Sequence, residues 1–447
     1  MYRKLFYTLN ALMLAAFIVA AIVDYRKEWR EYQGRYYRLM AADLEGKARQ
    51  SADPEQTKRL RDQARQLRGT PLQIRQIIAK DLGRVDRCIT CHVGMDEFLN
   101  PSLTTDLKEH PFTGHPDVSG IIRSHPLQKF GCTVCHAGQG LATELEAAHG
   151  YAENWEKPLG LGPLLQSSCV KCHGNLDTLR GAEVVAKGKK LFDDHGCIGC
   201  HQIRGVGGVI SVDLGNIADK PLERIAPYNF SLIKTADGKP LPRRDWKLPA
   251  WIEAHMTNDT IEFVPNDPFA KYNKEPIAPS GMPDFRGEIT PEGAKAITAF
   301  LLSQTEEEKI PIRYYVPGPP KTEPKFAGAA AHGKYVFDKH GCSGCHGLGG
   351  AQGRRNYNAM GPGQADPRTD MDKGREPALT DTVGTFTRDE LRAKIQAGVP
   401  SSQIAKFNPD GPTPPLYMPA WKDKIKGVEL EDLITYLLSI AKQQEDF

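Results

Sequence analysis

The chain has no cysteine to spare: all ten fall inside five Cys-x-x-Cys-His motifs, which leaves none for a structural disulfide. It also lacks charge of one sign. Lys and Arg number 58 against 55 Asp and Glu, so the basic footprint of nucleic-acid binding is missing. Aromatics are sparse at 8%, while 33 prolines are spread over 447 residues, which points to a globular but loop-rich chain. No nucleophile motif, catalytic carboxylate pair or nucleotide-binding loop stands out.

The five motifs are CITCH (88–92), CTVCH (132–136), CVKCH (169–173), CIGCH (197–201) and CSGCH (342–346). Two thiols about one turn apart suit addition to the two vinyl groups of one porphyrin, and the next histidine turns under the ring to reach iron. The pairs Cys88/Cys91, Cys132/Cys135, Cys169/Cys172, Cys197/Cys200 and Cys342/Cys345 are therefore predicted to attach five haems c. His92, His136, His173, His201 and His346 are predicted as proximal ligands. A zinc half-site or redox dithiol is the bland reading of a single CxxC pair, and five copies completed by histidine argue against it. Thioether formation needs haem and reduced thiols outside the cytoplasm, so the haem-bearing part is expected to be exported.

Residues 5–23 are free of charge and, at about 1.5 Å per residue, just span a bilayer core. The run is longer than a usual signal-peptide core and is read as an uncleaved transmembrane anchor, residues 1–24. Arg3 and Lys4 precede it and Arg26, Lys27 and Arg30 follow it, so flanking charge alone does not orient it. Haem attachment does: the expected location is the inner (cytoplasmic) membrane, single-pass, with the C-terminal bulk in the periplasm. Tyr25, Trp29, Tyr32, Tyr36 and Leu39 fall on one helical stripe, either partner-facing or packed on the chain's own haem segment. A helical stalk over 25–83 is predicted, with one helix from Asp53 and Pro54 to Gly69 and another after Pro71.

Three motifs crowd into residues 84–180, a loop-rich trihaem module. The last two are widely spaced and belong to a repeat: KGKKLFDDHGCIGCH (187–201) aligns without gaps on HGKYVFDKHGCSGCH (332–346), offset by 145. Each repeat closes with an amphipathic helix, TPEGAKAITAFLLSQ capped by Thr290 and VELEDLITYLLSI. On these residues, 181–308 and 327–447 resemble class I cytochrome c domains, joined by a proline-rich linker at 309–326 that is expected to set distance. The resemblance implies that the first and last helices of each domain cross at a glycine against an aromatic, Gly188 with Phe300 and Gly333 with Tyr436. The fold class expected is mainly α with extensive loops.

The sixth iron ligand separates an electron carrier from a haem open to substrate. The class I resemblance implies a methionine before the closing helix, and Met282 and Met418, each followed by proline, are its ligands there. Met256, Met360 and Met371 are expected to be ordinary loop or surface residues, and His195 and His340 to lie at the surface or the propionate side. The run GHPDVSGIIRSHPLQKFGCTVCHAGQG with AAHG is similar to multihaem cytochromes encoded with membrane cytochrome b proteins. That resemblance implies His115, His125 and His149 as distal ligands, with His110 in reserve. Met95 follows a haem histidine as in tetrahaem quinol dehydrogenases, but spacing and haem number depart from that family.

These resemblances imply a non-catalytic pentahaem subunit that relays electrons from a quinol-oxidising cytochrome b or bc-type partner to a periplasmic acceptor. Its expected partners are membrane lipid, the cytochrome b-like subunit, a Rieske protein where the assembly has one, and a soluble cytochrome or oxidase. Bis-histidine haems near the membrane would be low in potential and histidine/methionine haems high, since thioether sulfur favours reduced iron. The alternatives are the pentahaem subunit of an alternative complex III-like assembly and a dihaem peroxidase with one open haem. A passive haem-bearing spacer is the third reading.

Overall fold

A computed structural model describes residues 2–152, 155–225, 230–235, 237–257, 282–283, 285, 287–306, 310–318, 324–356, 358–360, 374–407, 409–411 and 413–442. They form two compact units, Met1–Gly160 and Leu161–Phe447, and both are mainly helical.

In the first unit helix α1, Tyr2–Tyr25, is apolar and exposed along its whole length. Among the described residues it is the one helix long and apolar enough to cross a membrane. Helix α2, Glu28–Gln50, begins after a break at Lys27, whose ψ of 140° is extended. The aromatic stripe is therefore split. Tyr25 is 73% exposed, whereas Tyr36 and Tyr37 are buried against Val93 and Phe112 around the first motif. Of the two readings of the stripe, packing on the chain's own haem segment holds for its α2 part.

Helix α3, Pro54–Arg68, starts where expected: the Asp53 carboxylate accepts from the amide of Glu55 at 2.9 Å and Pro54 occupies the first turn. No α-helix begins directly after Pro71, and residues 71–76 have no regular structure. Ile77 and Ala79 are buried while Ile78 between them is exposed, a period of two that makes strand β1, Ile77–Ala79. It pairs antiparallel with β2, Arg84–Asp86, through Gly83 in the left-handed region at φ 62°. Gln33 on α2 is fully buried. It donates to the Gln73 and Thr90 carbonyls and accepts from the Gln73 amide at 2.8 Å, which joins the helix to the first motif.

The second unit departs from the expected trihaem module at 84–180. Residues Gly162–Lys171, which run into the third motif, pack on helices α4, Glu183–Asp194, and α6, Pro291–Leu302, with helix α5, Leu248–Thr257, also against α6. Leu164 and Val170 join that hydrophobic core, so burial draws the third motif into the second unit. The linker does more than set distance. Val316 pairs with the third attachment turn, donating to the Cys172 carbonyl at 2.7 Å and accepting from Gly174 at 2.9 Å.

The repeat folds twice. In the first copy Thr290 caps α6 by accepting from the Gly293 amide, and α4 crosses α6 at Gly188. A Cβ on Gly188 would lie 1.9 Å from the carbonyl oxygen of Ala296, so the crossing point is Ala296, one turn before the expected Phe300. Phe300 packs instead on Phe192 at 5.4 Å between ring centres. In the second copy α7, Ala329–Lys339, crosses α9, Gly427–Ser439, at Gly333, where an added Cβ would meet Asp432 O at 1.9 Å and the Tyr436 Cβ at 2.7 Å. Phe337 and Tyr436 are 5.6 Å apart and edge-on. Helix α8, Arg388–Ala397, completes this core behind a Thr387–Glu390 capping box.

Candidate haem-binding sites

All five motifs make the same turn. The amide of each motif histidine donates to the carbonyl of the first cysteine, at 2.9 to 3.0 Å, from His92, His136, His173, His201 and His346 alike. One such helical turn brings the two thiols together and swings the imidazole beneath them. Burial pushes the thiol of Cys91 up to about 11 and those of Cys197 and Cys342 up to about 12.

In the first unit the attachment turns are tied to the hairpin. Asp86, 1% exposed, accepts from the amides of Cys132 and Thr133 at 2.5 and 2.9 Å and from the Thr133 hydroxyl at 2.7 Å. The first cysteines of the two motifs touch: a hydrogen bond to Cys88, then burial, holds the Cys132 thiol well above its ordinary range. Two pairs of histidines face each other. His92 and His149 have ring centres 6.3 Å apart, and His115 and His136 have theirs 6.4 Å apart. Two imidazoles bonded to one metal at about 2 Å, each with its ring centre roughly 1 Å farther out, stand about 6 Å apart. Burial, with His149 second, pushes His92 down to about 4, so its imidazole is neutral across the physiological range. His136 turns its Nδ1 to the Gly160 carbonyl at 3.3 Å.

The remaining histidines of this unit differ. The Nδ1 of His125 lies 2.9 Å from the Ile121 carbonyl, an orientation that reserves Nε2 for another partner. His110 is exposed, and Met95 packs with Ile77 and Ile89.

Each domain of the second unit encloses a mainly apolar cavity. The first, about 290 Å³, is lined by Cys197, Cys200, His201 and Met282 among others. The second, about 360 Å³, is lined by Cys342, Cys345, His346 and Met418. His201 and His346 turn Nδ1 to the carbonyls of Val212 and Pro377, at 3.0 and 2.9 Å, so that Nε2 is the ring nitrogen left to face another partner. Met418 is held by two backbone hydrogen bonds to Val399, at 2.8 and 3.1 Å. Two thiols, an oriented imidazole and a thioether around one apolar slot fit a covalently attached haem.

Several residues lie elsewhere than expected. Met256 is 4% exposed and lines the first cavity, so it is no surface methionine. His195 is 3% exposed beside Phe285 and Glu288, inside the protein because the second domain covers it through Arg354. Met360 is exposed as expected, and Met371 lies outside the described residues. Two cavity residues carried no signal in the sequence. His255 lines the first cavity with its Nδ1 on the Trp251 carbonyl at 2.7 Å, and burial pushes it down to about 4. Glu376 lines the second, hydrogen-bonded to Asn356 at 2.7 Å, and burial pushes its carboxyl up to about 7. A lone histidine or glutamate gives no sign in sequence of facing a cavity built from distant segments.

The Cytochrome c family matches this chain at residues 185–305 and again at 330–441, together just over half of its length. Neither a curated relative nor a solved structure matches it. The two matched stretches are the two repeats, each with its attachment turn, apolar cavity and crossed terminal helices. The chain therefore belongs to the cytochrome c family, with two class I domains that carry covalently bound haem c for electron transfer.

Proposed function

We propose that this protein is a pentahaem electron relay, held in the membrane by α1, with its haem-bearing part in the periplasm. It takes electrons from a quinol-oxidising cytochrome b or bc-type partner and delivers them to a periplasmic acceptor. The observation that carries this reading is the opposition of His92 to His149 and of His136 to His115, at 6.3 and 6.4 Å. Imidazoles so placed fill both axial positions of an iron, which makes a carrier and leaves no room for substrate.

The shared turn of all five motifs supports five haems, and the apolar, exposed α1 supports the anchor. His125 stands as the third distal histidine, and Met282 and Met418 as the sulfur ligands of the class I domains. Each cavity has a motif histidine and a methionine in its wall, which favours a closed iron over the open one of a dihaem peroxidase.

The test is stoichiometric. Mass spectrometry of the purified chain should give five thioether-linked haems, and the reduced protein should bind almost no carbon monoxide. Membranes with the chain deleted should lose quinol-dependent reduction of the periplasmic acceptor. Free thiols at any motif, a stoichiometric carbon monoxide complex, or undiminished electron flow would each remove a part of the reading.

A further inference from the structure

The attachment turns of the two repeats pack on each other, and the contact is reciprocal. A Cβ on Gly196 would lie 2.0 Å from the nitrogen of Gly344, and one on Gly344 would lie 2.4 Å from the carbonyl oxygen of Gly196. A Cβ on Gly199 would lie 2.3 Å from Gly341 O, and one on Gly341 would lie 2.2 Å from Gly199 N. The repeat offset of 145 makes Gly341 the counterpart of Gly196, and Gly344 the counterpart of Gly199. Each contact thus joins one position to the counterpart of the other. That exchange marks an isologous two-fold contact, here between two halves of one chain.

In such a contact a residue on the axis meets its own counterpart. Cys200 and Cys345 are counterparts, and their sulfurs are hydrogen-bonded to each other. These sulfurs stand where the second thioether of each haem forms. The cavities also share walls: Gly199 and Ile210 help line the second, and Gly344 and Leu416 help line the first. Two polar contacts hold the domains in register. Arg354 makes a two-pronged ion pair with Glu288 of the first domain, 2.7 Å at Nη2, and the Ser343 hydroxyl donates to the Asp194 carbonyl at 2.8 Å. At these four glycines backbone meets backbone, with only the Ser343 and Ile198 side chains beside the contact.

We propose that the two class I domains form a single dihaem element, in which electrons cross directly between the haems of Cys197/Cys200 and Cys342/Cys345 through their abutting second-cysteine edges. Gly196, Gly199, Gly341 and Gly344 are its positioning residues. The step moves one electron: the iron held by His201 is oxidised as the iron held by His346 is reduced, or the reverse, with no proton transferred and no bond made or broken. The proposal rests on the relay reading, to which it adds the route between these two centres.

The test uses the full-length haem-loaded protein and the variants Gly199→Val and Gly344→Val. Neither glycine has a positive φ, so the added side chain acts by pushing the turns apart and not by straining its own backbone. After flash photoreduction, electron exchange between the two haems should slow severalfold, because electron tunnelling falls exponentially as the haem edges are pushed apart. Haem content and both potentials are read on the same samples, so that exchange is compared only between fully loaded proteins, and Gly384→Ala, whose new Cβ meets only Ala441 at 3.5 Å, should exchange as the wild type does. Wild-type exchange rates in both valine variants would overturn the proposal. Should those variants fail to fold, pulsed electron paramagnetic resonance of the oxidised wild type decides: magnetic coupling between the two ferric centres supports direct contact, and its absence overturns it. Photoreduction needs no quinol, so failure of the relay reading would leave this result intact.

Discussion

His149 faces His92 with the two ring centres 6.3 Å apart and the ring planes 41° from each other. His92 reaches that place from the attachment turn of the first motif, and His149 from the far end of the same unit, after the second motif. Replacing His149 by alanine should open one iron. The reduced His149→Ala protein is expected to bind one carbon monoxide per chain, where the wild type binds almost none, with the other haem spectra unchanged. An unaltered carbon monoxide titration would show that His149 is not an axial ligand.

Met418 offers the complementary test. Its backbone is fixed by Val399, so a substituted side chain starts from the same place. Met418→His should lower the midpoint potential of the haem at Cys342/Cys345, because thioether sulfur favours the reduced iron and imidazole does not. A potentiometric titration reads the shift, and an unmoved potential would place the sulfur outside the coordination sphere.

Asp86 joins the second attachment turn to strand β2. Asp86→Ala leaves three donors near Cys132 and Thr133 without their acceptor, at a cost of about 3 kcal/mol or more. The second motif is expected to lose its shape first. Mass spectrometry of the peptide holding Cys132 and Cys135 should show a fall in haem occupancy, with the peptides of the second unit fully loaded.

The helix crossings tolerate no side chain. Gly188→Val or Gly333→Val places carbon within 1.9 Å of the facing helix backbone, and either should destabilise its own domain by about 1–3 kcal/mol or more. Calorimetry should show the thermal transition of the second unit lowered by several degrees, while that of the first unit stays in place.

Glu376 gives the second unit a pH dependence. Its folded carboxyl is raised from 4.5 to about 7 by burial, so the folded chain holds a proton that the unfolded chain releases. Stability should therefore be greatest below pH 4.5 as far as this group is concerned, and fall by up to about 3 kcal/mol as pH rises to 7, then level off. Glu376→Gln should flatten that slope in thermal melts taken across pH 4 to 8. The same slope in the variant would assign it to another group.

Much of the site was legible in the sequence because covalent haem attachment is a local matter: two thiols, a histidine and one turn suffice, and no other segment is needed. The α6 cap at Thr290 and the start of α3 at Asp53 were legible for the same reason, since a cap joins residues only two or three apart. The strand at Ile77 was missed because three residues give too short a period to tell from a helix. The burial of His195 was missed because what covers it, Arg354 with Glu288, comes from two different domains.

The sequence by itself determined the cofactor, the count of attachment motifs and the repeat, all properties of short stretches read in order. Only the tertiary structure decided that His92 meets His149 and His136 meets His115, that the third motif packs with the second unit, and that Cys200 meets Cys345. Those pairings join residues far apart along the chain, and they are set by which apolar faces bury each other and by where glycine lets two backbones touch.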